Sequence, residues 1–348
     1  MSVRAPVGEL NIADRDFGIG RGLCAIAGTK ADTSFLWHAL HRSVESLAQR
    51  AQGSTFSAVN KDVLCTLPLP LPPLPEQRRI ASILDSVDRT IEQTKAVIEQ
   101  TKVVKKGLTQ QLLTRGLPGR HKRFKKTPIG MIPEGWEVSE LGAHEDLITS
   151  GSRGWAKHVS QDGALFFGIT QLSREGVFPL MEGIRRVDPP LDAEGKRTQV
   201  RPGDILISIT ADLGITAVVP DEIGEGYVSQ HVALARLLPA AIRPEFVARF
   251  LASPRGQLQF RTLGDSGAKA GLNLASIRRL VFPLPCLQEQ DEILESHQAV
   301  ESALRIAEQH QMCLELLKQG LMRALLMGKV RVVVDTAFGV QASAGRTA

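Results

Sequence analysis

The sequence predicts an α+β fold in which globular domains of mixed β-sheet and short helices are joined by two long spacer helices. These helices are predicted to form an antiparallel coiled coil. Residues 70–80 read PLPPLPEQRRI and recur at 283–293 as PLPCLQEQDEI, with seven of eleven positions identical. Residues 105–113 read KKGLTQQLL and recur at 318–326 as KQGLMRALL, in the same register. An internal repeat fixes the organisation of a chain, and the repeated unit here is a helix start followed by a long helix.

Each repeated helix carries apolar positions that alternate four and three residues apart, which is the seam of a coiled coil. Pro75 and Glu76 suit the start of the first helix, Gly116 with Pro118 its end, and Gly328 the end of the second. The equal register favours pairing of the two helices with each other over packing on separate domains. The predicted seam comprises Ile80, Leu84, Val87, Ile91, Ile98, Leu108 and Leu112 in the first helix and Ile293, Val300, Leu304, Leu314, Leu321 and Leu325 in the second.

Polar residues interrupt both seams, among them Lys105 and Lys318, which occupy equivalent positions of the repeat. Such residues lower the stability of a coiled coil but specify its register and its partner. Val104 and Leu317 lie beside the two lysines, so we expect the apolar stripe to shift onto them as the helices approach straight-helix periodicity.

The repeat divides the chain into six predicted segments: a first globular segment (1–75), the first spacer helix (76–116), a basic linker (117–132), a second globular domain (133–286), the second spacer helix (287–328) and a tail (329–348). The segment before the first spacer helix is only about half as long as the domain before the second.

Strand and helix patterns alternate within the second domain. Runs bounded by Gly, Asp and Pro predict strands at 164–172, 203–210 and 231–238, two helices at 244–253 and 253–263, and a strand at 275–285 that leads into the second long helix.

Composition excludes several classes of protein. The net charge is +5, which permits binding to a polyanion without requiring it. No apolar run is long enough to span a membrane, and the first residues lack the apolar core of a signal peptide, so we expect a cytoplasmic protein. Four scattered cysteines, Cys24, Cys65, Cys286 and Cys313, contain no C-x-x-C pair and predict reduced thiols without a disulfide framework or zinc site.

Polar and cationic residues in the predicted loops are the candidates for DNA contacts. Arg, Lys, Asn and Gln can read base edges, while cations and Gly-rich loops can hold phosphates. Ordinary solvated turns and a solvated linker are the alternative interpretation. The candidates are Ser152, Arg153, Trp155 and Lys157 in a Gly-rich loop, Thr210, Asp212, Gln230, His231, Lys269 and Asn273 at strand or loop ends, and Arg120, Lys122, Arg123, Lys125 and Lys126 in a basic run.

Patterns typical of enzymes are weak in this sequence. DPPL at 188–191 resembles an amino-methyltransferase motif, but its Leu cannot stack on a flipped base, and FGIGRG at 17–22 lacks the context of a methyl-donor site. Residues 192–196 have the spacing of a nuclease metal site without a strand to hold it. His38, His41 and Glu45 fit a solvated helix face better than a metal site. We therefore expect no catalytic residue, metal or cofactor.

The repeated PLPPLPEQRRI phrase followed by a long helix resembles the specificity subunit of type I restriction–modification systems. PEGWEVSELG, GSRGW, ISITADLG, VSQHVALARL and SGAKAGLN follow in the order that its target-recognition domains have, and the resemblance covers most of residues 10–328. It implies a non-catalytic DNA reader, whose two domains bind the halves of a split target and whose helices set the gap. It also implies methyltransferase and nuclease–translocase subunits as partners.

The resemblance implies that residues 1–75 are the back half of a first target-recognition domain and residues 133–286 a second such domain, so we expect the front half of the first to be absent. A sheet without those strands would expose edges and apolar surface.

The shortened first domain leaves a second hypothesis open. On this hypothesis the chain is a docking remnant that binds the methyltransferase through its coiled coil without specific reading of DNA. We expect the second recognition domain to fold and the first to be unable to read DNA.

Overall fold

A computed structural model of the chain describes residues 1–4, 6–51, 59, 61–151, 153–189, 193–238, 240–264 and 271–333. The chain forms two compact units, one comprising Met1–Gln100 with Leu304–Ala348 and the other Thr101–Ala303. Two long helices, α3 (Leu74–Arg115) and α8 (Leu287–Leu326), contribute residues to both units. No helix in the described ranges is long and apolar enough to cross a membrane.

The first unit is built around helix α1 (Thr33–Ala51), which is followed by the short helix α2 (Lys61–Cys65). Asp32 begins α1 by accepting the backbone N–H groups of Ser34 and Phe35, both at 3.1 Å, which satisfies donors that have no partner within a helix. Phe35 is fully buried, and α1 packs through it against the start of α3 and the end of α8.

The described residues of the second unit form twelve strands and, besides the parts of α3 and α8, four shorter helices. The strands are β1 (Phe124–Thr127), β2 (Gly130–Pro133), β3 (Glu137–Glu140), β4 (Glu145–Ser150), β5 (Val159–Ser160), β6 (Ala164–Phe167), β7 (Arg185–Val187), β8 (Ile205–Ser208), β9 (Thr216–Val218), β10 (Gly226–Val228), β11 (Val232–Leu237) and β12 (Val281–Leu284). The helices are α4 (Ala193–Thr198), α5 (Pro244–Ala252), α6 (Pro254–Leu263) and α7 (Leu274–Arg278).

A four-stranded sheet with the order β4-β11-β8-β9 lies at the centre of the second unit. Its strands are buried on both faces: Ile205 and Ile207 belong to one apolar core and Leu206 to another. Strands covered on both faces read as continuous apolar runs rather than alternating ones, which explains the pattern of GDILISIT. A second sheet, ordered β10-β6-β7-β5, and the hairpins β1-β2 and β12-β3 complete the unit.

The predicted α+β fold class is confirmed, and the two long helices pack antiparallel as predicted. Within the first unit, Ile80 and Leu84 share a core with Leu325 and Leu326. Within the second unit, Leu112 lies in the same core as Ile293. All thirteen residues of the predicted seam are buried or half-buried.

The expected shift of the apolar stripe is wrong. Val104 and Leu317 are 53% and 51% exposed, whereas the lysines beside them point into the seam. Lys105 Nζ lies 3.0 Å from Glu301 Oε1, and Lys318 Nζ lies 2.6 Å from Asp88 Oδ1. Because these carboxylates compensate the lysine charges, the seam keeps its heptad register through both polar positions. The two ion pairs are equivalent under the repeat.

Each long helix begins with a buried glutamine that binds backbone groups of the preceding segment. Gln77 accepts the N–H of Asp32 at 2.8 Å and donates to the carbonyl of Pro72 at 2.7 Å. Gln290 accepts the N–H of Arg243 at 2.7 Å and donates to two carbonyls, that of Pro285 at 2.8 Å and that of Ala241 at 3.0 Å. The same glutamine of the repeat thus binds the segment that precedes α1 in one unit and α5 in the other.

We expect Gln290→Leu to lower the free energy of unfolding of the second unit by about 2 kcal/mol, since it leaves one buried and two partly buried backbone groups without this partner. Gln77→Leu should have a similar effect on the first unit. Urea unfolding with hydrogen exchange of α1 and α5 measures the two separately. If both variants unfold like the unmodified chain, the glutamines do not fix these helices.

One predicted element needs correction. The strand expected at 275–285 begins as helix α7, and only Val281–Leu284 form a strand. The helix forms because Asn273 caps it: Asn273 Oδ1 accepts the backbone N–H of Ser276 at 2.8 Å. The helices expected at 244–253 and 253–263 and the strands within 164–172, 203–210 and 231–238 are confirmed.

Candidate nucleic-acid interface

Three of the candidate DNA-binding residues form one hydrogen-bonded chain at an end of the central sheet. Thr210 follows β8, and Gln230 and His231 precede β11. Thr210 Oγ1 lies 2.8 Å from His231 Nδ1, and Gln230 Nε2 lies 2.9 Å from His231 Nε2. An amide nitrogen only donates, so His231 Nε2 accepts and Nδ1 carries the proton donated to Thr210. Gln230 Oε1 is buried without a hydrogen-bond partner, and the imidazole of His231 is exposed.

A fourth candidate, Asp212, lies in the same turn, but Arg174 occupies its carboxylate. Arg174 Nη2 donates to Asp212 Oδ1 at 2.5 Å and Nε donates to Oδ2 at 3.2 Å. These hydrogen bonds lower the pKa of Asp212, so the carboxylate stays ionised. Arg174 was not among the predicted residues, because no sequence pattern connects two residues that lie on separate loops far apart in the chain.

The Gly-rich loop begins beside the Thr210–His231–Gln230 chain. The N–H of Gly151 donates to Ser229 O at 3.3 Å, and a side chain at Gly151 would collide with the backbone of Val228, so this approach requires glycine. Arg153 and Lys157 are exposed on a 3₁₀ helix that follows. Ser152 lies outside the described residues.

Trp155 belongs to the core of the second sheet, β10-β6-β7-β5, and is not an exposed ring on which bases could stack. Its side chain is 3% exposed and packs on Phe166 and Tyr227, with ring centroids 5.4 Å and 5.2 Å away. Tyr227 in turn donates to Glu225 at 2.6 Å, and burial together with this carboxylate raises its pKa to about 12. The tryptophan therefore anchors the loop that carries Arg153 and Lys157.

The last two loop candidates differ in what the structure describes. Lys269 lies outside the described residues. The side-chain oxygen of Asn273 caps α7, so this atom already has a partner within the protein. The loop nevertheless returns to the same place, because Gly271 forms a β-bridge with Thr210 and Leu272 N–H donates to Ile209 O at 3.0 Å.

The basic run is divided between ion-paired and unpaired cations. Arg120 Nη1 lies 2.6 Å from Glu292 Oε2, which raises its pKa, and Arg123 lies 3.7 Å from Glu134. Lys122 and the two β1 lysines, Lys125 and Lys126, are exposed. The three lysines are thus the members of the run that can contact a polyanion without first breaking an ion pair.

The weak enzyme patterns do not form a site in the described parts of the chain. Residues 17–22 have no helix or strand, and Lys196 is exposed on α4, while Pro190, Leu191 and Asp192 lie outside the described residues. The expectation of a solvated histidine face is wrong for His38, which is 1% exposed and lies 2.7 Å from Asp85. Its neighbour His41 stacks on Trp37, and burial lowers the pKa of this histidine. Glu45 lies in α1, in a part whose side chains are not described.

Comparison with known proteins supports the resemblance seen in the sequence. The Type I restriction modification DNA specificity domain matches residues 1–102. The MjaX type I restriction enzyme specificity subunit of Methanocaldococcus jannaschii is 30% identical over 287 residues, which are 82% of this chain and 64% of that protein. The EcoBI specificity subunit of Escherichia coli is 29% identical over 283 residues, 76% of this chain and 58% of that protein. The chain thus spans less than two thirds of either relative.

Solved structures agree in fold. The HsdS subunit from Thermoanaerobacter tengcongensis aligns over 86% of this chain and 71% of its own, with a TM-score of 0.51 and 20% identity. A chain from a type I restriction–modification complex aligns over 86% and 72%, with a TM-score of 0.57 and 18% identity. The chain is therefore similar in sequence to the specificity subunits of type I restriction–modification systems, the family that its repeated phrase resembles.

Proposed function

We propose that this chain is the DNA-reading specificity subunit of a type I restriction–modification complex. It would direct methyltransferase and nuclease–translocase subunits to a bipartite DNA target in the cytoplasm, without catalysing a reaction itself. The observation that carries the proposal is the set of hydrogen-bonded side chains of Thr210, His231 and Gln230 at one end of the sheet. Amide and hydroxyl groups of this kind discriminate base edges in the major groove, and the sheet beneath them is a rigid support.

The candidate residues fall into two groups, one suited to the bases of double-stranded DNA and one suited to its phosphates. The loops after β8 and before β11 supply polar groups for bases, whereas Lys122, Lys125 and Lys126 supply exposed charge for phosphates. Phosphate contacts position a protein on DNA, and contacts to base edges specify the sequence. Both classes occur in the second unit.

The paired helices support the proposed partners. Their antiparallel seam is fixed in each unit by an equivalent ion pair, which favours a spacer of defined length over a flexible link. Several apolar side chains lie exposed on the helices, including Val103 at 72%, Ile306 at 63% and Met312 at 63%. Exposed apolar side chains of this kind suit the docking of another subunit.

One observation favours the second candidate function, a docking remnant without specific reading. In the first unit Leu23 and Ile26, which lie shortly before α1, are 49% and 40% exposed. Strand β11 lies in the same place before α5 in the second unit, and its Leu234 and Leu237 are 0% and 6% exposed. Residues 19–24 correspond to β11 under the repeat. Among the described residues they pair through one isolated bridge, between Leu23 and Ser2, whereas β11 pairs along its length with both β4 and β8.

The test is a map of adenine methylation in cells that express this chain with a type I methyltransferase subunit encoded beside it. A bipartite motif that appears only with the chain supports the reading function. A soluble complex of the chain with the methyltransferase that methylates no defined motif supports the docking remnant instead.

We expect the triple variant Lys122→Gln, Lys125→Gln and Lys126→Gln to weaken the salt dependence of DNA binding. The negative slope of log K against log salt should become less steep by about 2–3, since each lost phosphate contact contributes about 0.9. The selected sequence should stay the same, because phosphate contacts carry no sequence information. Binding to duplex DNA at several salt concentrations measures the slope. Lys106→Gln, an exposed lysine of α3, serves as the control, and an unchanged slope in the triple variant would exclude these lysines from the interface.

A further inference from the structure

We infer that Arg174 is a positioning residue for sequence reading. It would hold the turn of residues 209–214, and through Thr210 the side chains of His231 and Gln230, in the conformation that discriminates bases. The inference rests on the proposed function, and it concerns a residue that would influence specificity without contacting a base.

Arg174 joins three separate pieces of the second unit. Besides its two hydrogen bonds to Asp212, it donates from Nη1 to Gln257 Oε1 at 2.6 Å and from Nη2 to Leu213 O at 3.0 Å. Gln257 belongs to α6 and donates through Nε2 to Gly214 O at 2.7 Å and to Leu251 O at 2.9 Å. The turn is thus tied at three successive residues to a loop and a helix that are far away in sequence.

We call the hydrogen bonds of Arg174 to Asp212, Leu213 and Gln257 the clamp. The turn needs the clamp because its backbone is strained. Ala211 has a φ of +59°, the left-handed region that disfavours a residue with a Cβ, and it is the only non-glycine residue with a positive φ in the described ranges. A strained residue persists when the surrounding contacts over-determine its conformation, and such residues cluster at functional sites. Here Ser208 adds a hydrogen bond from its hydroxyl to Asp212 O and accepts the N–H of Ile215 at 2.8 Å.

The strained residue is directly linked to the candidate reading groups. Thr210 precedes Ala211 in the chain, and its hydroxyl is the hydrogen-bond partner of His231 Nδ1. A relaxed Ala211 would move Thr210, which would release His231 and leave Gln230 free to rotate. The geometry of the whole chain of polar groups thus depends on the turn.

Arg174 is poorly suited to contact DNA itself. A guanidinium has five N–H donors, and hydrogen bonds within the protein use four of them. Asp212 neutralises its charge in a bidentate pair. Removal of Arg174 should therefore leave the number of phosphate contacts unchanged.

The experiment compares Arg174→Gln with the unmodified full chain in selection from randomised DNA duplexes and in binding at several salt concentrations. We expect Arg174→Gln to lose about tenfold discrimination at one or more positions of the motif, which is the scale of one bidentate base contact. The salt slope should stay the same. Asp212→Asn should relax the motif in the same way, because it weakens the other half of the clamp.

A second substitution that restores base discrimination separates a positioning role of Arg174 from general damage to the fold. Ala211→Gly removes the steric cost of the left-handed backbone, so the double variant Arg174→Gln with Ala211→Gly should recover most of the discrimination. Ala211→Gly alone should keep the motif.

Three results would overturn the inference. If Arg174→Gln keeps the motif but makes the slope of log K against log salt less steep by about one, Arg174 is a phosphate contact. An unchanged motif and slope would show that the clamp has no role in reading. An unmodified chain that selects no motif at all would overturn the proposed function, and the inference with it.

Discussion

Replacement of His297 with leucine should remove most of the acid sensitivity of the second unit between pH 6.5 and 4. His297 is a seam residue of α8 that is 2% exposed, with Nε2 unpartnered and Nδ1 3.4 Å from the Thr109 hydroxyl. Burial lowers its pKa to about 4, and the positive charges of Arg249 and Lys105 act in the same direction, while Glu301 opposes them. The folded protein therefore holds this histidine neutral.

The sign of the pH dependence follows from the lowered pKa. As pH falls below about 6.5, the unfolded chain binds a proton at this histidine and the folded chain does not, so stability is lost until the pH reaches about 4. A difference of this size is worth about 3 kcal/mol in full. His297→Leu has nothing to protonate and should lose much less over the same interval.

Urea unfolding at pH 7, 6, 5 and 4, followed by the fluorescence of Trp136 and Trp155 in a Trp37→Phe background, measures the effect. Glu301 does not interfere in the upper part of this interval, between pH 6.5 and about 4.5: its pKa is lowered to about 2 by hydrogen bonds and charge from Arg249 and Lys105, in spite of its burial. Its contribution is therefore lost only below about pH 4.5. His310→Leu, an exposed position of the same helix, is the control. An equal loss of stability in the unmodified chain and His297→Leu would contradict the prediction.

The repeat made most of the helical framework predictable. Two copies of one phrase, in one register, specify where α3 and α8 begin, which face is apolar and which partner each helix has. The pattern could not reveal what compensates the polar seam positions. Lys105 and Lys318 look like defects in an apolar stripe until Glu301 and Asp88 are found opposite them, and those pairings depend on the helix alignment in three dimensions.

The candidate site was predictable in part, and for a physical reason. Thr210, Gln230 and His231 lie where strands end, so the strand pattern alone places them at one edge. Trp155 was a candidate DNA contact because it lies in a Gly-rich loop, yet its ring completes an apolar core with Phe166 and Tyr227. Arg174 carried no signal, since its role arises from contacts with a turn and a helix that the fold brings together.

Trp136→Ala should be the most destabilising single change, with a loss of about 4 kcal/mol in the free energy of unfolding of the second unit. Trp136 is 2% exposed and meets Phe246 edge to face at 6.5 Å, so its removal opens a large cavity. It also donates through Nε1 to Glu289 Oε2 at 2.9 Å, where the carboxylate is 4% exposed and its other oxygen pairs with His121 at 2.7 Å.

Trp136→Phe separates these two contributions. It keeps an aromatic ring and removes the donor, so it should cost about 2 kcal/mol, the scale of a lost hydrogen bond to a buried charge. Trp37→Ala, a half-buried tryptophan of the first unit, should leave the unfolding of the second unit unchanged. Hydrogen exchange at the start of α8 gives the deciding comparison, because Glu289 connects the tryptophan to that helix. If Trp136→Phe leaves exchange there unaltered, packing alone holds the helix start and the buried carboxylate contributes nothing to it.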